Sequence, residues 1–121
     1  MGKKIMTVED SNSLREMIAF VLKEAGYEVF EAADGRQALA TLKTISVDMV
    51  VTDLNMPNMN GIELTSSLRA TKAYKFTPIV FLTTESQIQK MEAAKKAGAS
   101  GWIVKPFKPE KLLKVIKKVL G

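Results

Sequence analysis

Glu9-Asp10, Asp53, Thr83-Thr84 and Lys105-Pro106 are the residues of this chain best equipped for chemistry, and each follows a short run of β-forming residues. Three carboxylates brought together repel one another, and the ordinary relief is a bound hard cation. With neither Cys nor His among the 121 residues, the available donors are oxygens. Such a set favours Mg²⁺, which keeps several waters and leaves positions for phosphate oxygens. An Asp beside that cation can act as a nucleophile on phosphorus and form an aspartyl-phosphate. An ammonium aimed at the phosphoryl oxygens neutralises charge, and a hydroxyl donates to a further oxygen. Taken singly, each residue has a plainer role, as a turn, a helix cap or a solvated charge. Their coincidence at the ends of strands carries the reading of a phosphorylation site.

For these residues to meet, the runs before them must be strands of one sheet pointing the same way. The chain supplies that pattern. Ile5-Met6-Thr7-Val8 reads as a first strand. Leu14, Met17, Ile18, Val21 and Leu22 then fall at helical spacing, with Ser13 and Glu16 spaced as a capping box and Gly26 as the stop. Glu28 to Ala32 reads as a second strand, Asp34-Gly35 as a turn, and Ala38, Leu39 and Leu42 as a short helix. Val47 to Thr52 is a mostly apolar third strand, suited to burial on both faces of a parallel sheet.

Asn55 to Gly61 is a loop by its Pro, Gly and Asn content, followed by a helix through Leu64 and Leu68 to about Ala70. Pro78 to Leu82 is the fourth strand and Gln87 to Ala97 the fourth helix, stopped by Gly98. Trp102-Ile103-Val104 is the fifth strand, and Pro109 to Leu120 a helix with Leu112, Leu113, Ile116, Val119 and Leu120 on its apolar face. Five strand–helix alternations predict an α/β fold with a parallel sheet, in which ligands bind beyond the carboxyl ends of the strands. The length predicts one domain over residues 1–121.

Composition removes several function classes. The absence of Cys excludes disulfide frameworks, thiolate zinc sites and cysteine nucleophiles, and the absence of His excludes Ser-His-Asp chemistry and a phosphohistidine on this chain. No apolar run approaches the roughly 18 residues of a membrane span, so a cytoplasmic domain without a membrane partner is expected. The net charge of +5 is unevenly spread. Residues 1–60 hold six Lys and Arg against nine Asp and Glu, and residues 61–121 hold twelve against four. Lys90, Lys95, Lys108, Lys111, Lys114 and Lys118 place the basic charge on or beside the fourth and fifth helices. The plain reading is a solvated face; the sharper one is docking of an acidic partner segment. No helix-turn-helix or RNA-binding motif accompanies the basic patch, and a nucleic-acid partner is not expected.

Glu9-Asp10, the run from Asp53 through Leu54-Asn55-Met56-Pro57-Asn58-Met59-Asn60 to Gly61, Thr83 and Lys105-Pro106-Phe107 together resemble the receiver domains of two-component response regulators. The resemblance spans essentially the whole chain and is nearest to the stand-alone receivers of bacterial chemotaxis. It implies a doubly wound, flavodoxin-like sheet of five parallel strands in the order 2-1-3-4-5 with five helices. It implies Asp53 as phosphoacceptor, with Asp10, Asp53 and the backbone carbonyl of Asn55 as Mg²⁺ ligands and Glu9 acting mainly through a metal-bound water. Lys105 and Thr83 would engage the phosphoryl group, Trp102 would stand in place of the switch aromatic, and Lys105-Pro106 would be cis. Asn55 and Glu85, each two residues past a key position, resemble the pair that tunes phosphoryl lifetime.

The partners implied are a sensor histidine kinase of the chemotaxis type as donor, and a flagellar motor switch protein or a phosphatase at the fourth helix, fifth strand and fifth helix, with the receiver itself a monomer. Thr7 in the first strand, Thr84 beside the site and Trp102 at the switch position depart from the family's usual residues.

Moving a two-state switch from 1:99 to 99:1 takes roughly 5.5 kcal/mol. One neutral hydrogen bond, worth about 1 kcal/mol, falls short; two charge-assisted bonds at about 1.5–3 kcal/mol each, from Thr83 and Lys105 engaging only the phosphorylated form, reach it near the top of that range. The expected consequence is that Thr83 moves inward and Trp102 fills the vacated space. Other readings remain beside this one. A receiver acting as a phosphate sink or relay outside motility has the same residues. A phosphatase of the haloacid dehalogenase type also uses an Asp nucleophile and Mg²⁺, but needs Asp-x-Asp where this chain has Asp53-Leu54-Asn55, and Asn does not shuttle a proton. No Gly-x-Gly-x-x-Gly or Ser/Thr/Gly-rich loop follows the first strand, which argues against dinucleotide and FMN binding.

Overall fold

The computed structural model describes residues 2–84 and 89–120. Five strands, β1 (Lys4–Val8), β2 (Glu28–Ala32), β3 (Met49–Asp53), β4 (Ile79–Thr84) and β5 (Gly101–Lys105), alternate with helices α1 (Asn12–Glu24), α2 (Gly35–Leu42), α3 (Gly61–Arg69), α4 (Met91–Ala97) and α5 (Pro109–Leu120). The strands form one parallel sheet in the order β2-β1-β3-β4-β5. All five residues of β3 are buried, as a central strand covered on both faces requires. No helix among the described residues is long and apolar enough to cross a membrane.

The period of two along each strand divides the interior into two cores. Ile5, Met49, Val51, Val80, Leu82 and Ile103 face Ile18 and Leu22 of α1 and Leu112 and Ile116 of α5. Met6, Val8, Val50 and Phe81 face Leu42 of α2, Leu64 and Leu68 of α3, and Ala94 of α4. The same alternation sends Glu9, Asp53 and Lys105 toward the α1/α5 side, and Thr83 and Trp102 toward the α3/α4 side. Because sequence order reverses between β1 and β3, their carboxyl ends flank the crevice in which open α/β sheets hold ligands.

Local differences from the sequence expectations have local causes. The α1 cap is Ser11, whose hydroxyl accepts from the Leu14 N–H (3.3 Å); Ser13 lies inside the helix, and the expected Ser13–Glu16 box does not form. The Ser11 N–H is itself tied to the Glu9 carboxylate (3.0 Å), so the helix begins as soon as the chain leaves the site. A reciprocal capping box occurs instead on α3, between Asn60 and Glu63. Asp34 and Gly35 are the N-cap and first residue of α2, not a free turn. β3 starts at Met49 because Asp48 is occupied outside it, its side chain and N–H both bonded to the Lys4 backbone. β4 runs on to Thr84, whose register partner is Lys105.

The helix expected from Gln87 begins at Met91 in the described part, and Gln87 lies outside the described residues. A 3₁₀ turn at Lys72–Tyr74, not expected from the sequence, is anchored by Tyr74, whose hydroxyl reaches the carbonyls of Leu42 (2.9 Å) and Ile45 (2.6 Å).

Candidate functional site

β1 delivers Glu9 and Asp10, β3 ends on Asp53, and β5 ends on Lys105. Parallel pairing brings them to one edge of the sheet, where oxygens of Glu9, Asp10 and Asp53 lie within 4.8 Å of one another. The Lys105 ammonium bridges two of the carboxylates, 3.0 Å from Glu9 Oε1 and 3.1 Å from Asp53 Oδ1. Glu9 is held by its second oxygen as well, through the Ser11 N–H, and its carbonyl accepts from Arg15 Nη1 at 2.7 Å. Asp53 Oδ1 also takes the Leu54 N–H (2.9 Å). The chain turns back so tightly here that a Cβ on Gly61 would lie 2.4 Å from the Asp53 carbonyl oxygen, which reserves that position for glycine.

Burial dominates the electrostatics. Asp53 and Glu9 are 5% and 1% exposed, and desolvation raises both carboxyl pKa values despite the hydrogen bonds from Lys105. The Leu54 N–H also opposes the rise at Asp53, while the Asp10 charge adds to it. At Glu9 the Ser11 N–H opposes the rise, and the Asp53 charge adds to it. Burial also disfavours the Lys105 ammonium, but hydrogen bonds and charges from Glu9 and Asp53 outweigh it and hold the lysine above its ordinary pKa. The site therefore concentrates negative charge that one lysine only partly compensates. Its donors are all oxygen and close enough to share one ion, the set a small hard cation takes.

Thr83 stands between Leu82, the register partner of Asp53, and Thr84, the partner of Lys105; it is buried, and its hydroxyl donates to the Thr84 carbonyl (3.2 Å). Trp102 is 39% exposed, with the Lys95 ammonium 4.8 Å from its ring centre. Asn55 is exposed on the loop after β3, and the Lys105–Pro106 peptide bond is cis. Glu85 lies outside the described residues. Arg15 and Ser11, which hold Glu9, are absent from the sequence reading: their part depends on how α1 leaves β1, and no residue spacing signals it.

A sheet in the order 2-1-3-4-5 with an acidic cluster and a lysine at its carboxyl edge defines the receiver class, and the chain belongs to the response regulator receiver domain family, which it matches over residues 5–117. Among its relatives is a Chemotaxis protein CheY homolog of Campylobacter jejuni, 41% identical over 120 residues that cover 98% of this chain and 92% of that protein. Among solved structures, the chemotaxis response regulator CheY4 of Vibrio cholerae superposes with a TM-score of 0.94 at 47% identity, covering 98% of this chain and 99% of that one. The receiver domain of the sensor histidine kinase PA1611 from Pseudomonas aeruginosa, solved with a magnesium ion coordinated in its active-site cleft, superposes with a TM-score of 0.91 at 29% identity, covering 100% and 99%.

Proposed function

We propose that this chain is a single receiver that accepts a phosphoryl group on Asp53 from a histidine kinase and switches partner binding in chemotaxis. The observation that carries the reading is the Lys105 ammonium bridging Asp53 and Glu9 within the three-carboxylate cluster. Asp10, Asp53 and the Asn55 carbonyl are the residues to hold Mg²⁺, with Glu9 engaged through a water. The magnesium-bound receiver among the structural neighbours supports that choice. Bound there, Mg²⁺ supplies charge neutralisation for the incoming phosphoryl oxygens.

The protein's own groups do the rest. The Leu54 N–H and Lys105 both engage Asp53 Oδ1, which leaves Oδ2 to attack phosphorus. As the Oδ2–P bond forms, the P–N bond of the donor phosphohistidine breaks and its electron pair returns to the imidazole nitrogen. Lys105 then pairs with the phosphoryl oxygens in place of the bare carboxylate. The Thr83 hydroxyl turns toward another of those oxygens, and Trp102 follows into the space behind it. Asn55 and Glu85 set how long the phosphoryl group survives.

The output surface is the one formed by α4, β5 and α5. A groove of about 610 Å³ there is lined by Trp102, Val104, Pro106, Phe107, Lys108 and Lys111, among others. Its lysines suit an acidic segment of a motor switch protein or phosphatase.

The test is intact mass after incubation with a small-molecule phosphodonor and Mg²⁺, beside Asp53→Asn and a metal-free control. One phosphoryl group on wild type with Mg²⁺, and none in either control, is expected. No adduct under rapid quenching overturns the phosphoacceptor role. Steady release of phosphate from external esters, abolished by Asp53→Asn, would point instead to a phosphatase.

A further inference from the structure

The loop between β3 and α3, which carries Asn55, is held at its base and at its tip by different devices. At the base, the Gly61 N–H donates to the Leu54 carbonyl (3.1 Å), so the two ends close on each other. At the tip, the Met59 N–H donates to the Pro57 carbonyl (2.7 Å) across Asn58, which stands at φ 68°. A three-residue turn with its central residue at positive φ is rare and strained, though Asn tolerates that region better than most residues. Such a conformation persists where its surroundings over-determine it.

Those surroundings come from the start of α2. Asn58 Nδ2 donates to Asp34 Oδ2 (2.8 Å), and the Gly35 N–H donates to the Met59 carbonyl (3.1 Å). Asp34 is 7% exposed, and its other oxygen caps α2 by accepting the Gln37 N–H (2.9 Å). One carboxylate therefore fixes both a helix start and the tip of a loop 24 residues away in sequence. The approach is close: a Cβ on Gly35 would lie 2.6 Å from the Met59 carbonyl oxygen.

Resting on the metal site proposed above, we infer that Asp34 and Asn58 are positioning residues, their side-chain bond holding the β3–α3 loop in the shape that presents the Asn55 carbonyl to Mg²⁺. Neither residue touches the acidic cluster's own hydrogen bonds. They act on the loop, and through the loop on one ligand. A purely structural role, with Asp34 only a helix cap and Asn58 only a turn residue, predicts different results for chosen variants. Asp34→Ser keeps a cap and loses the second acceptor oxygen. Asn58→Gly keeps the positive φ and loses the donor. Asp34→Asn keeps both the cap and, with the Asn58 amide turned over, the bridging bond.

The experiment is calorimetric titration of the metal-free full chain with MgCl₂ alone, with amide hydrogen exchange of residues 55–59 and thermal unfolding on the same samples. Asp34→Ser and Asn58→Gly are each expected to weaken Mg²⁺ binding about tenfold, the low end for residues that orient a metal ligand. Exchange of residues 55–59 should quicken in both while Asp34→Asn stays within about twofold of wild type. The double variant should bind no more weakly than either single one, because both remove the same bond. Wild-type affinity in Asp34→Ser and Asn58→Gly overturns the inference. So does an equal loss in Asp34→Asn, which would assign the effect to charge, and so does a strictly additive double loss. If wild type itself takes up no Mg²⁺, the proposed metal site falls and the latch with it. Uptake by wild type with equal uptake by the variants removes the latch alone.

Discussion

Lys95 on α4 sets its ammonium 4.8 Å from the centre of the Trp102 ring on β5. With Trp102 39% exposed, the pair caps the outer surface of the sheet beside Thr83, on the face opposite the acidic cluster. An exposed cation–π contact is worth about 0.5–1 kcal/mol. If Trp102 moves inward as proposed above, Lys95→Met should shift it away from the outward position by about two- to fivefold. Acrylamide quenching of Trp102 emission checks this, expected to weaken in Lys95→Met and to weaken further on beryllofluoride addition. Unchanged quenching in the variant would show that the lysine does not hold the ring.

The raised carboxyls of the site contribute stability that falls as pH rises. Burial lifts Asp53 above its ordinary 3.8 and Glu9 above 4.5. A native state that holds protons more tightly than the unfolded chain gains stability below those ordinary values and loses it as pH rises through the elevated native pKa. Asp34 runs the other way: hydrogen bonds from the Gln37 N–H and Asn58 lower its pKa, so its contribution is present above 3.8 and lost as pH falls through the lowered value. Without metal, Asp53→Asn should therefore gain on wild type by a few °C in Tm as pH goes from about 4 to about 7, and Mg²⁺ at pH 7 should reverse the order. Scanning calorimetry at a series of pH values, with and without Mg²⁺, measures both signs.

Thr7 is fully buried on β1, and its hydroxyl has no hydrogen-bond partner among the described residues. Strand alternation places it on the same face as Glu9, beside its register partner Val51. A buried hydroxyl without a partner costs about 1–3 kcal/mol, and valine fills nearly the same volume without that cost. Thr7→Val should stabilise the fold by about 1–2 kcal/mol. Urea denaturation reads the gain as a higher midpoint at unchanged slope. A lower midpoint would show that the hydroxyl is satisfied in solution.

Arg69 at the end of α3 ties three carbonyls together. Its Nε and Nη2 reach Gly98 O (3.2 and 2.7 Å), and its Nη1 reaches Tyr74 O (2.8 Å) and Thr77 O (2.7 Å). The guanidinium thus anchors the carboxyl end of α4, where Gly98 takes φ 116°, to the turn that precedes β4. Burial lowers its pKa, and its partners are all neutral oxygens. Arg69→Met should cost about 3 kcal/mol, and Arg69→Lys should recover less than half, because an ammonium lacks the planar fork that spans three acceptors. Chemical denaturation of the two variants decides it; full recovery by lysine would mean that charge alone matters there.

The strand-end residues were legible from one dimension because each closes a run whose composition marks it as a strand. Glu9, Asp10, Asp53 and Lys105 could be gathered to one edge by the rule that parallel strands share a carboxyl end. The five-fold alternation, the mostly apolar β3 and the α5 stripe were local patterns, and local patterns are what a sequence displays. Which residues actually bond was decided elsewhere. Lys105 meets Glu9 across 96 residues and Asp53 across 52, and Asn58 meets Asp34 across 24. No spacing along the chain encodes those distances. The choice of Ser11 over Ser13 as cap followed from Glu9 seizing the Ser11 N–H, and the lack of a partner for the Thr7 hydroxyl among the described residues followed from its complete burial in β1. The separation of Thr83 and Trp102 from Asp53 and Lys105 onto opposite faces required the register as well as the alternation. Periodicity sets which elements form; burial and hydrogen bonding between distant elements decide what each side chain can touch.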